Sequence, residues 1–186
     1  MVIDRTEDRQ AKRDNFRESF RPHFDKMICD PISKMVTTRD ALWSFILMAL
    51  VIDYLAGFWW GESTKGRTKQ VYTGFVENYF PKGRYNSDSI YAYLRNGLVH
   101  SFTIKNSAFM LTHNHPELHL NKHESGRLIL NAGDFRDDLF SAKNKYFDEV
   151  EACSPAAGWF DVLDKFWMRL ERDGFLVTGQ FDGLAN

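Results

Sequence analysis

The sequence predicts a mainly α-helical domain that carries a small β insertion. Two observations favour helices: a 20-residue apolar run at residues 41–60, and phenylalanines that recur every four residues near the N-terminus. A third observation predicts the insertion, because residues 102–131 form short apolar segments interrupted by turn-forming residues. With 186 residues, 44% of them hydrophobic, the chain can bury the core of one domain, which we place at residues 1–186.

The N-terminal segment is charged and amphipathic. Phe16, Phe20 and Phe24 are four residues apart and would line one face of a helix. Pro22 lies inside this pattern. Because proline has no backbone N–H and its ring collides with the preceding turn, we expect a kink or a break near Arg21.

The apolar run at residues 41–60 has the length that crosses a bilayer, but Asp53 interrupts it. We favour a helix buried on all sides within a helical domain, because no second run of this kind exists. Thr37, Thr38 and Asp40 can cap this helix, which should stop near Gly61. A buried carboxylate at position 53 then needs a cation or several hydrogen-bond donors as partners.

Further along the chain, helical patterns alternate with polar loops. Helices are expected at residues 71–80, 90–100, 134–151 and 159–172. Between the second and the third, the insertion at residues 102–131 predicts small β-hairpins or one irregular sheet. The tail beyond residue 179 is expected to be frayed.

The overall charge excludes a globally basic nucleic-acid-binding protein, because 24 Lys and Arg balance 25 Asp and Glu to give a net charge of −1. The two cysteines, Cys29 and Cys153, are not spaced as a redox or zinc pair, which favours reduced thiols. The first residues contain no apolar stretch of the kind found in signal peptides. We therefore expect a cytoplasmic protein with no membrane span.

One stretch is nevertheless basic. Residues 65–105 contain seven Lys or Arg and only two acidic residues, a local charge of +5. Interspersed tyrosines can stack on unpaired bases, but the pattern equally suits a solvated surface beside core tyrosines. The basic residues are Lys65, Arg67, Lys69, Lys82, Arg84, Arg95 and Lys105, and the tyrosines are Tyr72, Tyr79, Tyr85, Tyr91 and Tyr93.

The segment with the clearest chemical potential reads YAYLRNGLVHSF and spans residues 91–102. Arg95 carries a permanent charge and can clamp a phosphate with two hydrogen bonds. Histidine exchanges protons near neutral pH, so His100 can take a proton from a ribose 2′-hydroxyl or give one to a leaving oxygen. Asn96 can orient the imidazole or donate to a phosphate oxygen. This chemistry requires no metal, although the same spacing also suits a solvated arginine and a helix-capping histidine.

The hexapeptide from Arg95 to His100 resembles the Arg-x4-6-His signature of HEPN domains (higher eukaryotes and prokaryotes nucleotide-binding), in which a polar residue often follows the arginine. The segments LRNGLVHS and VIDYLAG are also similar to those of an uncharacterised bacterial HEPN-like group. The resemblance covers residues 37–172 and implies an antiparallel helical bundle, frequent homodimers and metal-independent endoribonuclease activity. In catalytic members, the motifs of two protomers meet in one cleft.

The resemblance implies a role for each motif residue. Arg95 would bind phosphate, Asn96 would support it, and His100 would be the acid and base. Asp53, on the long apolar helix, would pair with Arg95 or hold His100 in one tautomer; a local cap or a solvent-facing turn is the alternative for this carboxylate.

A second candidate site lies in the histidine-rich segment at residues 112–124. In an extended strand, His113, His115, Glu117 and His119 would share one face, and imidazoles with a carboxylate suit Zn2+, Ni2+ or Cu2+. Pro116 disrupts such a strand, which favours an exposed loop that also includes His123.

Three functions remain. The first is a HEPN-like endoribonuclease that cuts RNA by 2′-hydroxyl attack, as a toxin or defence component with an antitoxin partner. The second is a non-catalytic HEPN-like dimer that binds RNA, a nucleotide or a protein. The third is a metal-binding protein that uses the histidine-rich segment. Glycine-rich phosphate loops and hydrolase elbows are missing from the sequence, and we expect no cofactor.

Overall fold

The computed structural model describes residues 5–38, 40–104, 108–154 and 161–172, and it is mainly helical. The first helical segment, α1, spans residues 5–37 and joins Arg5–Asn15, π-helical Phe16–Phe20, Arg21–Phe24, π-helical Asp25–Cys29 and Asp30–Thr37. The helix α4 spans residues 87–101 and joins Ser87–Ser89, π-helical Ile90–Arg95 and Asn96–Ser101. The other elements are α2 (Ala41–Trp60), α3 (Thr68–Tyr79), β1 (Phe109–Thr112), β2 (Leu128–Asn131), α5 (Ala132–Glu151) and α6 (Val162–Arg172).

The N-terminal helix α1 confirms the phenylalanine stripe but not the break at Pro22. Phe16, Phe20 and Phe24 are all buried. The chain stays helical through Pro22. This proline is the second residue of the α-helical piece Arg21–Phe24, and that piece directly follows the π-helical turn Phe16–Phe20. A proline is tolerated near the start of a helical piece, because the backbone N–H that it lacks is not needed for a hydrogen bond there. The π-helical turn before it accommodates the change in backbone geometry.

The central helix α2 ends next to Gly61, as the sequence predicted, and Gly61 adopts a left-handed conformation there. Its first residue follows Asp40, but the Asp40 side chain makes no capping hydrogen bond. The helix packs against each of the other helices, and it is the one helix in the described part of the chain that is long and apolar enough to cross a membrane. Of its apolar window, 61% is buried in the protein. The prediction of burial on all sides is wrong, because Leu42, Trp43 and Leu50 are exposed.

Aromatic side chains hold the core together where α1, α2, α5 and α6 meet. Phe16 of α1 contacts Phe147 and Phe166 edge to face, with ring centroids 5.2 and 4.9 Å apart. Phe58 of α2 stacks on Phe166 with a centroid distance of 4.7 Å. Such pairs add about 0.5–1.5 kcal/mol each beyond the burial of their surface, so these contacts fix how the helices pack.

The β insertion differs from the prediction, because β1 and β2 pair in parallel and not as a hairpin. Parallel neighbours require a long crossover, and residues 113–127 provide it with the short 3-10 turn Pro116–Leu118. The crossover then folds back, and Leu120 N–H donates to Ile129 O while Ile129 N–H donates to Asn121 O. Turn residues in the sequence mark where the chain reverses, but they do not reveal which segments pair.

The remaining predicted helices are present with shifted ends. Helix α3 begins at Thr68, α4 at Ser87 and α5 at Ala132, each earlier than the apolar pattern indicated. The predicted start of the last helix at residue 159 and the tail beyond residue 179 lie outside the described residues.

Candidate functional site

The guanidinium of Arg95 is the centre of a polar cluster between α4 and α2. Arg95 is the last residue of the π-helical turn Ile90–Arg95, and its side chain points across to α2. Nη2 and Nε donate to Asp53 Oδ2 at 2.5 and 3.2 Å. Nη1 donates to Asn96 Oδ1 at 3.0 Å and lies 3.0 Å from His100 Nε2. The structure therefore brings Arg95, Asn96, His100 and Asp53 together.

The ion pair between Arg95 and Asp53 is half-buried. The side chains are 14% and 25% exposed, so the pair is shielded from water more than a surface ion pair is. Asp53 lies within the apolar helix α2, where an unpaired carboxylate is costly. The contact with Arg95 satisfies this charge, and both hydrogen bonds end on the same carboxylate oxygen.

His100 occupies the exposed last turn of α4. Because an arginine N–H can only donate, the contact with Arg95 requires Nε2 of His100 to accept and places the ring proton on Nδ1. The imidazole reaches solvent, and its Nε2 lone pair is occupied by Arg95.

Two tyrosines extend the site inward from Arg95. The guanidinium lies over the Tyr91 ring at 5.7 Å, and Tyr91 contacts Tyr72 edge to face with centroids 5.4 Å apart. Tyr72 is fully buried, and burial raises the pKa of its hydroxyl well above the ordinary value, with a further rise from the Asp53 carboxylate. Tyr72 and Tyr79 are both buried, so of the two alternatives for the tyrosines in the basic stretch, these two are core residues.

An apolar surface that the sequence pattern did not predict lies next to the site. Trp43 of α2 and Phe102, which directly follows α4, are 55% and 60% exposed, and their rings contact each other edge to face at 5.8 Å. A groove of about 320 Å3 between α1 and α2 continues this surface and is lined by Met27, Leu47 and Leu50 among others. Helical spacing alone could not show that α2 leaves one stripe uncovered.

The basic stretch is partly neutralised in the structure. Lys69 pairs with Asp88 at 2.7 Å, and Arg84 pairs with Asp138 at 3.0 Å. Arg67 lies over the Trp60 ring at 5.9 Å, and Lys105 is outside the described residues. Three of the seven cations, including Arg95, therefore already contact carboxylates.

The histidine-rich segment forms no shared face. His115 contacts Glu117 at 3.1 Å, and His123 contacts Ser125 at 2.9 Å, while His119 points inward. Its Nδ1 accepts from Asn131 N–H, and its Nε2 lies 3.0 Å from the Tyr85 hydroxyl. Because the 3-10 turn Pro116–Leu118 replaces the strand, no group of three or more metal-ligating side chains occurs among the described residues.

Comparison with known proteins finds no matching family model, no similar curated protein and no similar solved structure. The residues of the Arg95–His100 motif therefore carry the functional interpretation, together with their geometry.

Proposed function

We propose that this protein is a metal-independent endoribonuclease of the HEPN type whose active site is the cluster around Arg95 and His100. The observation that carries the proposal is the 3.0 Å contact between the guanidinium and the imidazole at a solvent-exposed helix end. A phosphate-binding group beside a proton-exchanging group is what cleavage of a phosphodiester next to a 2′-hydroxyl requires.

In the proposed reaction, His100 Nε2 takes the proton of a ribose 2′-hydroxyl. The 2′-oxygen then bonds to phosphorus, and the bond from phosphorus to the 5′-oxygen breaks. Arg95 stabilises the negative charge that grows on the phosphate oxygens. The leaving oxygen takes a proton from a general acid, for which His100 of the partner subunit is the candidate in a homodimer. The products are a 2′,3′-cyclic phosphate and a 5′-hydroxyl.

The apolar surface beside the site supports the homodimer that this reaction uses. Trp43 and Phe102 lie close to the site, and exposed Leu50 and Met27 extend the same surface along the groove. Contiguous exposed apolar patches of this kind mark protein interfaces in soluble proteins. A second copy seated here would bring two clusters around Arg95 into one cleft.

A non-catalytic binding module is the second candidate, and one observation favours it. Every nitrogen of the Arg95 guanidinium already donates within the cluster, two of them to Asp53. A purely structural ion pair would hold an arginine in the same way. In this case the protein would bind RNA, a nucleotide or a protein partner and would cleave nothing.

The two candidates are separated by incubating 5′-labelled single-stranded RNA with the protein in excess EDTA. We expect fragments with 2′,3′-cyclic phosphate ends, and a loss of at least about a hundredfold in rate for His100→Ala. His115→Ala is the matched control, because His115 is exposed outside the cluster and should leave the rate unchanged. Intact RNA with the wild-type protein, or equal cleavage by His100→Ala, would contradict the proposal.

A further inference from the structure

Two exposed aromatic side chains lie at the end of α4 that carries His100. Phe102 and Trp43, 60% and 55% exposed, are the most exposed large apolar side chains in the described part of the chain. Their rings meet edge to face, with centroids 5.8 Å apart and planes at 73° to each other. In such a contact, the ring that presents its edge does not use its own two faces. The pair therefore offers a flat apolar face next to a second ring.

The backbone at Phe102 is strained. Phe102 has φ +52°, in the left-handed region that favours glycine. Its N–H donates to Leu98 O and the N–H of Thr103 donates to Gly97 O, each at 3.2 Å, which is the hydrogen-bond pattern of a helix end where glycine is the usual residue. The chain thus keeps both an unfavourable backbone conformation and an exposed apolar ring at one position. Strained positions of this kind cluster at functional sites.

The aromatic pair belongs to the same contact between α2 and α4 as the ion pair of Arg95 with Asp53. Trp43 precedes Asp53 by ten residues on α2, so the two contacts are about 15 Å apart along that helix. His100 lies between them along α4, and its Cα is roughly 5 Å from the Cα of Phe102. The proton-exchanging group is therefore flanked by a cation on one side and by exposed rings on the other.

A nucleobase is the occupant that this arrangement fits. Bases of single-stranded RNA stack on aromatic side chains, and every base offers a flat face for such a contact. Neither Trp43 nor Phe102 lines the apolar groove between α1 and α2, so a partner subunit seated on the groove can leave both rings free. The rings are also next to the group that would act on the 2′-hydroxyl of the same strand.

We propose that Trp43 and Phe102 bind the unpaired base next to the phosphodiester that His100 and Arg95 act on, which makes single-stranded RNA the substrate class. A base in a duplex is already stacked and paired, and it does not reach the rings. The inference rests on the proposed function, because it requires RNA at the cluster around Arg95.

The test replaces each ring by leucine, in Trp43→Leu and Phe102→Leu, and compares these variants with the ring-preserving Trp43→Phe and Phe102→Tyr. Leucine keeps an apolar side chain, and at position 102 it keeps the backbone strain, but it offers no flat face. The probe is a short single-stranded 2′-O-methyl oligonucleotide, which cannot be cleaved, and its binding is measured by fluorescence anisotropy. We expect each leucine variant to bind about tenfold more weakly, and each ring-preserving variant to stay within about twofold of the wild type.

An abasic scan supplies a readout that a merely structural pair would not move. One abasic residue is moved along the oligonucleotide, and at one position it should weaken binding to the wild type about tenfold. At this position the missing base should have no further effect on Phe102→Leu, because the two changes remove the same contact. An abasic penalty that persists in Phe102→Leu would overturn the inference, as would wild-type affinity in both leucine variants or equal losses in the leucine and ring-preserving variants.

The experiment also separates this inference from the homodimer and from the nuclease function. A leucine variant that has become monomeric in sedimentation velocity, while the wild type is a dimer, would assign the rings to the subunit interface and overturn the inference. RNA cleavage by the wild type together with unchanged binding by the leucine variants overturns this inference alone. Ring-dependent binding of the oligonucleotide without cleavage of RNA overturns the nuclease function alone.

Discussion

Arg95 Nη1 lies 3.0 Å from His100 Nε2, so a cation donates a hydrogen bond to an imidazole that is unprotonated at that nitrogen. Residues five apart on an ideal α-helix differ by about 140° in direction, and the length of the arginine side chain bridges this difference. The same contact occupies the lone pair that a general base needs. On the proposed function, this arrangement is a resting state, in which turning Arg95 towards a phosphate would free His100 for proton transfer.

Asp53→Asn tests this resting state. The substitution removes the charge that competes with a phosphate for Arg95, so we expect the affinity for a 2′-O-methyl oligonucleotide to rise severalfold. The half-buried guanidinium loses its counter-charge, and the free energy of unfolding should fall by about 1 kcal/mol, a modest value because the pair is partly exposed. Anisotropy titration and urea denaturation measure the two effects. A variant that binds more weakly than the wild type would show that Asp53 supports binding.

Leu50→Asp tests the proposed dimer surface. Leu50 is exposed at the groove between α1 and α2, and a carboxylate there would have to lose its water in an apolar interface. We expect sedimentation velocity to show a dimer for the wild type and a monomer for the variant. The matched control is Leu118→Asp, because Leu118 is exposed on the 3-10 turn away from the groove. A monomeric wild type, or a variant that stays dimeric, would refute the placement of the partner.

Gly61→Ala tests how α2 ends against α6. Gly61 has φ +82°, and a Cβ at this position would lie 2.9 Å from Lys165 Cβ. Gly66 has a similar φ of +75° and no atom within 4 Å of such a Cβ, so Gly66→Ala isolates the backbone strain. We expect about 1 kcal/mol of destabilisation for Gly66→Ala and roughly twice this for Gly61→Ala, measured by urea denaturation. Equal losses would show that Lys165 moves aside freely.

His119 predicts a pH dependence of stability. Burial lowers its pKa, and Arg84 lowers it further, against opposing effects of Asp134 and Asp138. Because the folded-state pKa lies below the unfolded value of about 6.5, the unfolded chain binds more protons as the pH falls below that value. The contribution of neutral His119 to the free energy of unfolding is therefore present above about pH 6.5, and it is lost as the pH falls through the folded-state pKa.

The substitution His119→Asn checks this contribution. Its side-chain oxygen can replace Nδ1 as acceptor for Asn131 N–H, and it does not titrate. We expect thermal unfolding between pH 7 and pH 5 to show a smaller loss of stability for His119→Asn than for the wild type. An equal loss in both proteins would assign the pH dependence to other groups.

Structural features that adjacent residues determine could be predicted from the sequence. Features that depend on contacts between distant segments could not. Gly61 marked the end of α2, because a glycine that ends a helix acts on the adjacent turn. The π turns of α1 and α4 and the parallel pairing of Phe109–Thr112 with Leu128–Asn131 have no local signature. In the site, the cost of a buried charge pointed to a partner for Asp53, whereas the exposed contact between Trp43 and Phe102 became visible only in the fold.

The central claim is that Arg95 and His100 cleave RNA through its 2′-hydroxyl. The most direct measurement uses an RNA with a single 2′-deoxy nucleotide at the position that the wild-type protein cuts, incubated with the protein in EDTA. We expect the modified bond to stay intact while unmodified sites are cut to 2′,3′-cyclic phosphate and 5′-hydroxyl ends. Cleavage at the 2′-deoxy position, or products with 3′-hydroxyl and 5′-phosphate ends, would contradict it.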